Sequence, residues 1–323
     1  MGHQHAGLRR GDLVEVKTPE EIFETLDADG AVDHLPFMPE MLEFCGRRFQ
    51  IARRAMTICV WGPVSPRGFR ADDVVTLEGV RCAGDAHDGC QKACMIFWRD
   101  AWLRRVKDTA AQSQAHVNGN APSQARLKTS TGPQNYYCQA SELAKATDAL
   151  SRSQRFGKYL GEFLAGNLNA LEMARSVGIW FYWRRIRMHL GLVPHGRGRS
   201  TPTESLHLQP GEWVEVKPMR DIIKTLNEKG QNHGLYFTPD LRLSCGRRHR
   251  VQGRIDKIIM DGSGEMRRLK NTVRLDGSTC SCSYMGGLGS GGCSRCEVVY
   301  WREAWLRRAD PTVSELPRNG KRL

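Results

Sequence analysis

Gly11-Asp12-Leu13-Val14-Glu15-Val16-Lys17 returns two hundred residues later as Gly211-Glu212-Trp213-Val214-Glu215-Val216-Lys217. Alternating apolar residues after a glycine turn predict an opening β-strand in each copy. The repetition continues outward from this stretch. Cys45-Gly46-Arg47-Arg48 returns as Cys245-Gly246-Arg247-Arg248, and Val75-Thr76-Leu77-Glu78-Gly79 as Val273-Arg274-Leu275-Asp276-Gly277. Trp98-Arg99-Asp100-Ala101-Trp102-Leu103-Arg104-Arg105 returns as Trp301-Arg302-Glu303-Ala304-Trp305-Leu306-Arg307-Arg308. One module is therefore present twice, and what both copies keep points to what the module needs.

Each module reads mostly as strand. Thr18 as N-cap and Pro19 at the first helical position predict one short helix over residues 19–26, with 221–226 as its counterpart. Met41–Gly46 leads through a turn into Phe49–Arg53, Val74–Leu77 is a further strand, and Phe97 through Leu103 closes the module. This order resembles a small SH3-like barrel. The fold class expected is α+β, with two such modules joined by a helical segment. The boundaries are module 1 at 9–107, a linker at 108–134, the helical segment at 135–192, a Gly/Pro/Arg/Ser-rich linker at 193–204 and module 2 at 205–310.

The helical segment carries an N-cap signal at Ser141 and helical apolar spacing at Phe156, Tyr159, Leu160, Phe163 and Leu164. A third helix is expected from Ala170 to Leu190. Its aromatic run Ile179–Trp183, followed by Arg184, Arg185 and Arg187, suits a helix packed between the barrels, a membrane surface or stacking on bases. Over the whole chain, 48 Lys and Arg face 35 Asp and Glu, a net charge of +13. Nucleic acid, an anionic membrane surface and acidic partners all fit that excess, as does a solvated basic surface. No run of apolar residues reaches the length of a transmembrane helix. Residues Met1–Gly7 offer no apolar secretory signal, so a reducing, cytoplasmic setting is expected for the eleven cysteines.

Four cysteine positions are shared by the modules. Cys45 matches Cys245 and Cys82 matches Cys280. Cys90 and Cys293 each lie eight residues before the first Trp of the closing stretch, and Cys94 matches Cys296 with a one-residue shift. Four thiolates are the ligand set of a closed tetrahedral zinc site. Two sites are expected, one of Cys45, Cys82, Cys90 and Cys94, the other of Cys245, Cys280, Cys293 and Cys296. An iron–sulfur cluster also takes four thiolates, and buried unligated thiols or a redox pair are the remaining readings. Cys59 and Cys282 occur in one copy each, and His87 is a substitute ligand without a counterpart. Cys138, in Tyr136-Tyr137-Cys138-Gln139, sits between the modules just before a helix, where a thiol either packs or becomes a nucleophile.

No P-loop, zincin, nucleophile-elbow or dinucleotide fingerprint occurs. The repeated acidic positions Glu15/Glu215, Asp100/Glu303 and Glu78/Asp276 read as solvated strand faces. Taken together, the motifs Val14-Glu15-Val16-Lys17, Met38 to Phe49, Leu77 to Cys82 and Trp301 to Leu306 resemble an uncharacterised group of bacterial proteins associated with biosynthetic gene neighbourhoods. The resemblance implies a duplicated cysteine-containing module and carries no known activity. The leading expectation is a zinc-stabilised tandem barrel that binds a protein partner as an accessory component, since paired modules raise effective concentration at a bivalent target. The alternatives are nucleic-acid binding through basic barrel surfaces, and a biosynthetic enzyme with an iron–sulfur centre or a reactive cysteine.

Overall fold

Val14 and Val16 are fully buried and Leu13 and Glu15 half-buried, so the alternation read in the sequence becomes strand β1 (Leu13–Val16). The computed structural model describes residues 7–60, 66–106, 127–174, 178, 195–196, 201–280 and 294–310. After β1, the helix α1 (Pro19–Phe23) starts where expected. Thr18 Oγ1 accepts from the Glu21 N–H, and Glu21 Oε2 accepts from the Thr18 N–H, a complete capping box. The chain then forms β2 (Ala31–Val32), β3 (Leu35–Pro36) and a 3-10 turn at Pro39–Phe44. Gly46, at φ 72°, turns it into β4 (Arg48–Arg54). Next come β5 (Arg67–Phe69), β6 (Val74–Arg81), β7 (Met95–Arg99) and β8 (Leu103–Arg105). The closing stretch is thus two strands, not one. A 3-10 turn at Asp100–Trp102 separates them and lets Trp98 and Trp102 both enter the core.

These strands make an antiparallel five-stranded sheet in the order β7-β6-β4-β1-β8. A register shift between Ile51 and Arg53 marks a bulge where β4 meets β6, and bulges bend and twist a sheet. Phe37 packs edge-on against Trp102 at 5.4 Å and against Trp98 at 6.3 Å. Burying each such ring stabilises the fold by about 1.5–3 kcal/mol. Trp102 donates its indole N–H to Thr25 Oγ1 at 3.0 Å, so the buried polar atom is satisfied.

Beyond the sheet lie the hairpin β9 (Ser130–Gly132) and β10 (Asn135–Tyr136), helix α2 (Gln139–Ala146), β11 (Thr147–Ala149) paired with β5, and helix α3 (Arg152–Leu164). On α3 the apolar spacing does not build a core stripe. Tyr159 and Glu162 are buried, whereas Phe156, Leu160, Phe163 and Leu164 are exposed. Glu162 explains the rotation, because it takes a salt bridge from Arg53 at 2.9 Å and a hydrogen bond from Asn167 at 2.7 Å. Ala170–Ala174 are helical, but the aromatic run Ile179–Trp183 and its arginines lie outside the described residues.

The second copy repeats the plan. β12 (Trp213–Val216), α4 (Met219–Ile223), β13 (Gln231–Asn232), β14 (Leu235–Tyr236) and a 3-10 turn at Pro239–Ser244 lead into β15 (Arg248–Arg254). The hairpin β16 (Lys257–Ile259) and β17 (Met266–Arg268) follows, then β18 (Thr272–Leu275), β19 (Trp301–Arg302), a 3-10 turn at Glu303–Trp305 and β20 (Leu306–Arg308). The sheet order β19-β18-β15-β12-β20 is that of the first sheet, and the bulge recurs between Val251 and Gly253. Trp305 donates to Thr225 as Trp102 does to Thr25. Two similar antiparallel sheets thus bear out the internal repeat.

Contacts divide the chain into two units that do not follow its order. The first unit is Met1–Gly191 together with Lys257–Arg268 and Thr279–Val298; the second is Leu192–Asp256, Leu269–Ser278 and Val299–Leu323. Two stretches of the second repeat therefore build the first unit.

One expectation about the acidic positions is corrected. Glu303 is fully buried, not on a solvated face. It accepts from the backbone N–H groups of Leu206, His207 and Leu208 and pairs with Arg254 at 2.9 Å. Its counterpart Asp100 pairs with Arg54 at 2.9 Å, and burial raises its carboxyl above the ordinary aspartate value. A buried carboxylate needs such partners, and the recurrent arginine at the end of β4 and β15 supplies them.

Candidate metal centre

The segment joining β6 to β7 runs from Cys82 to Cys94 and carries three cysteines of the first module. Its course requires left-handed backbone at Gly84 (φ 82°), Asp88 (φ 51°), Gly89 (φ 63°) and Ala93 (φ 51°). At position 84 only glycine fits, because a Cβ there would fall on the carbonyl of Cys90. Ala93 costs about 1 kcal/mol or more in that region, which the surrounding contacts must offset. Gly89 N–H donates to the Gly84 carbonyl at 2.9 Å, Cys90 N–H to His87 at 3.2 Å, and Cys82 N–H to Cys94 at 2.9 Å, closing the loop on itself.

Helix α2 brings in a fourth thiol. Cys138 caps its N-terminus, donating its N–H to Ser141 Oγ at 2.9 Å. The buried Gln139 pins this end to the sheet. Its Oε1 accepts from the Phe97 N–H at 2.8 Å, while Nε2 donates to the carbonyls of Phe97 at 2.9 Å and Pro36 at 3.0 Å. The result is a small cavity lined by Cys82, Cys90, Cys94 and Cys138, with His87, Lys92, Met38 and Ile259 among its other walls.

Glu40, Cys82 and His87 form a candidate metal-binding group, their ligand atoms all within 4.8 Å of one another. Glu40 arrives on the 3-10 turn at Pro39–Phe44, whose proline starts it at a fixed φ. Its Oε1 stands 2.6 Å from His87 Nδ1 and accepts from the Ala86 N–H at 3.2 Å. Burial pushes the Glu40 carboxyl up, but the His87 hydrogen bond and charge and the backbone donors outweigh it, and the net direction is down. His87 Nε2 lies 3.0 Å from the Tyr137 carbonyl, which only accepts, so this nitrogen carries a hydrogen. Both ring nitrogens are thereby engaged.

Burial dominates the ionisation of the thiols, although Lys92 also lines the cavity. Burial pushes Cys82 far up, and Glu40 adds to it. Burial likewise raises Cys94 to about 12 despite Lys92 and Arg295 nearby, and it raises Cys138. A metal ion entering this cavity displaces their protons, so its binding releases acid.

Beside the cavity lies a buried charge cluster within the same unit. Lys92 contacts Asp261 and stands 3.5 Å from Glu297, and Arg295 reaches Asp261 at 2.6 Å. Burial works against the charge of Lys92, yet Glu297 and Asp261 raise its pKa on balance; burial raises Asp261, yet Arg295 and Lys92 hold it well below the carboxylate range. Two cations and two anions are so held next to sulfur. From β16, the Ile259 N–H points at Cys90 Sγ at 3.3 Å.

The sequence-derived sets are thus placed as follows. Cys82, Cys90 and Cys94 come together on one cavity. Cys45 does not line it; its thiol faces the Met41 carbonyl at 3.9 Å in the hydrophobic core, and burial pushes its pKa up to about 12. Cys245 ends the 3-10 turn of the second unit, half-buried, while Cys280 and Cys296 belong to the first. Cys280 N–H donates to the Glu297 carbonyl at 2.8 Å, and Arg81 donates to the Cys296 carbonyl at 3.1 Å. Cys282 and Cys293 lie outside the described residues. Cys138 and Glu40 were not in the sets read from the repeat. The repeat hid Cys138, which lies outside both copies. The buried Gln139 beside it has no sequence signal of its own.

Among the described residues no helix is long and apolar enough to cross a membrane. Comparison with protein-family models, curated proteins and solved structures finds no match.

Proposed function

We propose that the protein is a partner-binding accessory component built of two SH3-like barrels, the first of which carries a resident metal–thiolate centre. One observation carries the reading: four thiols from two separate parts of the chain converge on one cavity, with the candidate ligand group Glu40, Cys82 and His87 at its edge. The strand order, with the first strand between the fifth and the second and a 3-10 turn before the last, supports the SH3-like description of both modules. Such barrels present loops to a partner while the sheet stays rigid, and duplication supports bivalent engagement of another protein.

A centre on four cysteines has no open ligand position, so its part here is to fix the β6–β7 loop and the start of α2. A single zinc ion is one occupant that a tetrahedral thiolate set can take. It would draw the sulfurs to about 3.8 Å from one another, the separation set by its ligand bond length. One centre per chain is proposed, because Cys45 faces elsewhere and Cys245 belongs to the other unit.

The test is elemental analysis of the full chain purified anaerobically without chelator. A stoichiometric metal that the Cys82→Ser/Cys94→Ser double variant loses supports the reading; metal-free protein, or unchanged metal in the variant, refutes it. Titration with RNA and duplex DNA at low and high salt probes the basic surface. Steeply salt-dependent binding would favour a nucleic-acid partner instead.

A further inference from the structure

We infer that Cys82, Cys90, Cys94 and Cys138 hold an iron–sulfur cluster, with Cys138, outside the repeat, as its fourth ligand. The inference rests on the metal–thiolate reading above and names the group that the site takes.

Spacing is the first argument. All four side chains line one cavity, yet among the described residues no three of their sulfurs lie within 4.8 Å of one another. A single zinc ion needs all four at about 3.8 Å. Closing them to that distance would drag the β6–β7 loop and the N-terminus of α2 inward together. That movement is opposed on both sides: the loop is closed by the His87 and Gly89 N–H groups on the Gly84 carbonyl and by the Cys82 N–H on the Cys94 carbonyl, and α2 is held by the three hydrogen bonds of Gln139. A cluster of several irons bridged by sulfide holds its cysteine sulfurs farther apart than one ion does.

The second argument is the treatment of the sulfurs. Hydrogen bonds to cluster sulfurs and local charge are what a protein uses to hold and tune such a group. Here the Ile259 N–H is aimed at Cys90 Sγ, and the amides of Ala140 and Ser141 at the start of α2 face Cys138. The Lys92 ammonium lies against the cavity wall, itself held by Asp261 and Glu297. These donors suit a net negative thiolate cluster and have no apolar alternative at this depth. His87 is turned away from ligation by its bonds to Glu40 and the Tyr137 carbonyl, and braces the loop instead.

The experiment uses the full chain, purified anaerobically and, in parallel, reconstituted with ferrous iron and sulfide under a thiol reductant. Iron and acid-labile sulfide are measured, with the visible spectrum before and after dithionite. The expected result is brown protein with comparable iron and sulfide and a visible band that dithionite bleaches. Cys138→Ser should lose most of its iron. Cys45→Ser should keep its iron, provided its circular dichroism matches the parent chain. Iron X-ray absorption of the unmodified chain gives an answer that no variant's folding can spoil: a sulfur shell with short iron–iron scattering is expected. A shell containing nitrogen or oxygen, or loss of iron in His87→Gln but not in Cys138→Ser, would put the metal on Glu40, Cys82 and His87 and overturn the inference. Zinc alone, at one per chain, would overturn the cluster and leave the metal–thiolate reading standing. No metal after either preparation would overturn both.

Discussion

Removing the Glu303 carboxylate should unfasten the segment that leads into the second sheet. Oε2 accepts from the Leu206 N–H at 2.6 Å and the His207 N–H at 3.0 Å; Oε1 accepts from the Leu208 N–H at 3.2 Å and from Arg254. The side chain is wholly out of water. Glu303→Ala leaves a guanidinium and three amides without their acceptor, and breaking a buried pair from one side costs about 3–5 kcal/mol. Glu303→Gln is not a gentle exchange either. Turned one way its NH2 faces the Leu208 N–H and Arg254; turned the other it faces the Leu206 and His207 N–H groups, with the Ser205 hydroxyl at 3.4 Å able to accept, and the loss is about 2–3 kcal/mol. Two units make a single denaturant midpoint hard to assign, so the assay is amide hydrogen exchange. In Glu303→Ala, exchange at Leu206–Leu208 should accelerate by about two to four orders of magnitude, the equivalent of that cost. A folded variant in which these amides exchange within tenfold of the parent rate would show that the carboxylate does not fasten this segment.

Other perturbations have expected outcomes of their own. Gly84→Ala places a Cβ on the Cys90 carbonyl in left-handed backbone, so it should destabilise the loop by more than the roughly 1–2 kcal/mol of the φ alone and lower the metal content measured by mass spectrometry. Asp261→Asn strips Lys92 and Arg295 of their nearest acceptor and should cost about 3–5 kcal/mol in chemical denaturation. Because the folded Asp261 pKa is depressed, its contribution is fully present above the unfolded value of about 3.9 and fades as pH falls below it; the penalty of Asp261→Asn should therefore be flat from neutral pH to about 5 and shrink in stronger acid. Trp102→Phe deletes the bond to Thr25 and should lower stability by about 1 kcal/mol beyond the lost ring area, with Trp305→Phe doing the same in the second sheet; equal stability of Trp102→Phe and the parent chain would argue against that bond.

Local signals were the legible part of the fold. The alternation at Val14 and Val16, the capping box at Thr18 and the glycine at 46 each act through neighbours in the chain, so they read directly. The split of the closing stretch at Asp100–Trp102 was not legible, since a 3-10 turn between two strands leaves the apolar pattern nearly unbroken. Burial of Glu303 was hidden for a different reason: its partners are backbone amides, which have no letter in the sequence. The candidate site was half legible. Cys82, Cys90 and Cys94 are legible because both copies keep them, and Cys45 shares that signal although its thiol sits in an apolar core. The repeat does not mark Cys138 and Glu40, whose place depends on how α2 and the Pro39–Phe44 turn pack.

The interleaving of the two units sets a timetable for synthesis. Until residue 259 has left the ribosome, Cys90 has no amide aimed at its sulfur, and until residue 295 has followed, the Lys92–Asp261 pair has no arginine. The nascent first unit therefore waits with its thiols bare while most of the chain is made. Insertion of the proposed centre would then be a late event, since a chain ending before residue 259 would lack one of the cavity's walls. A metal found on the proposed centre would then mark chains whose synthesis had passed that wall.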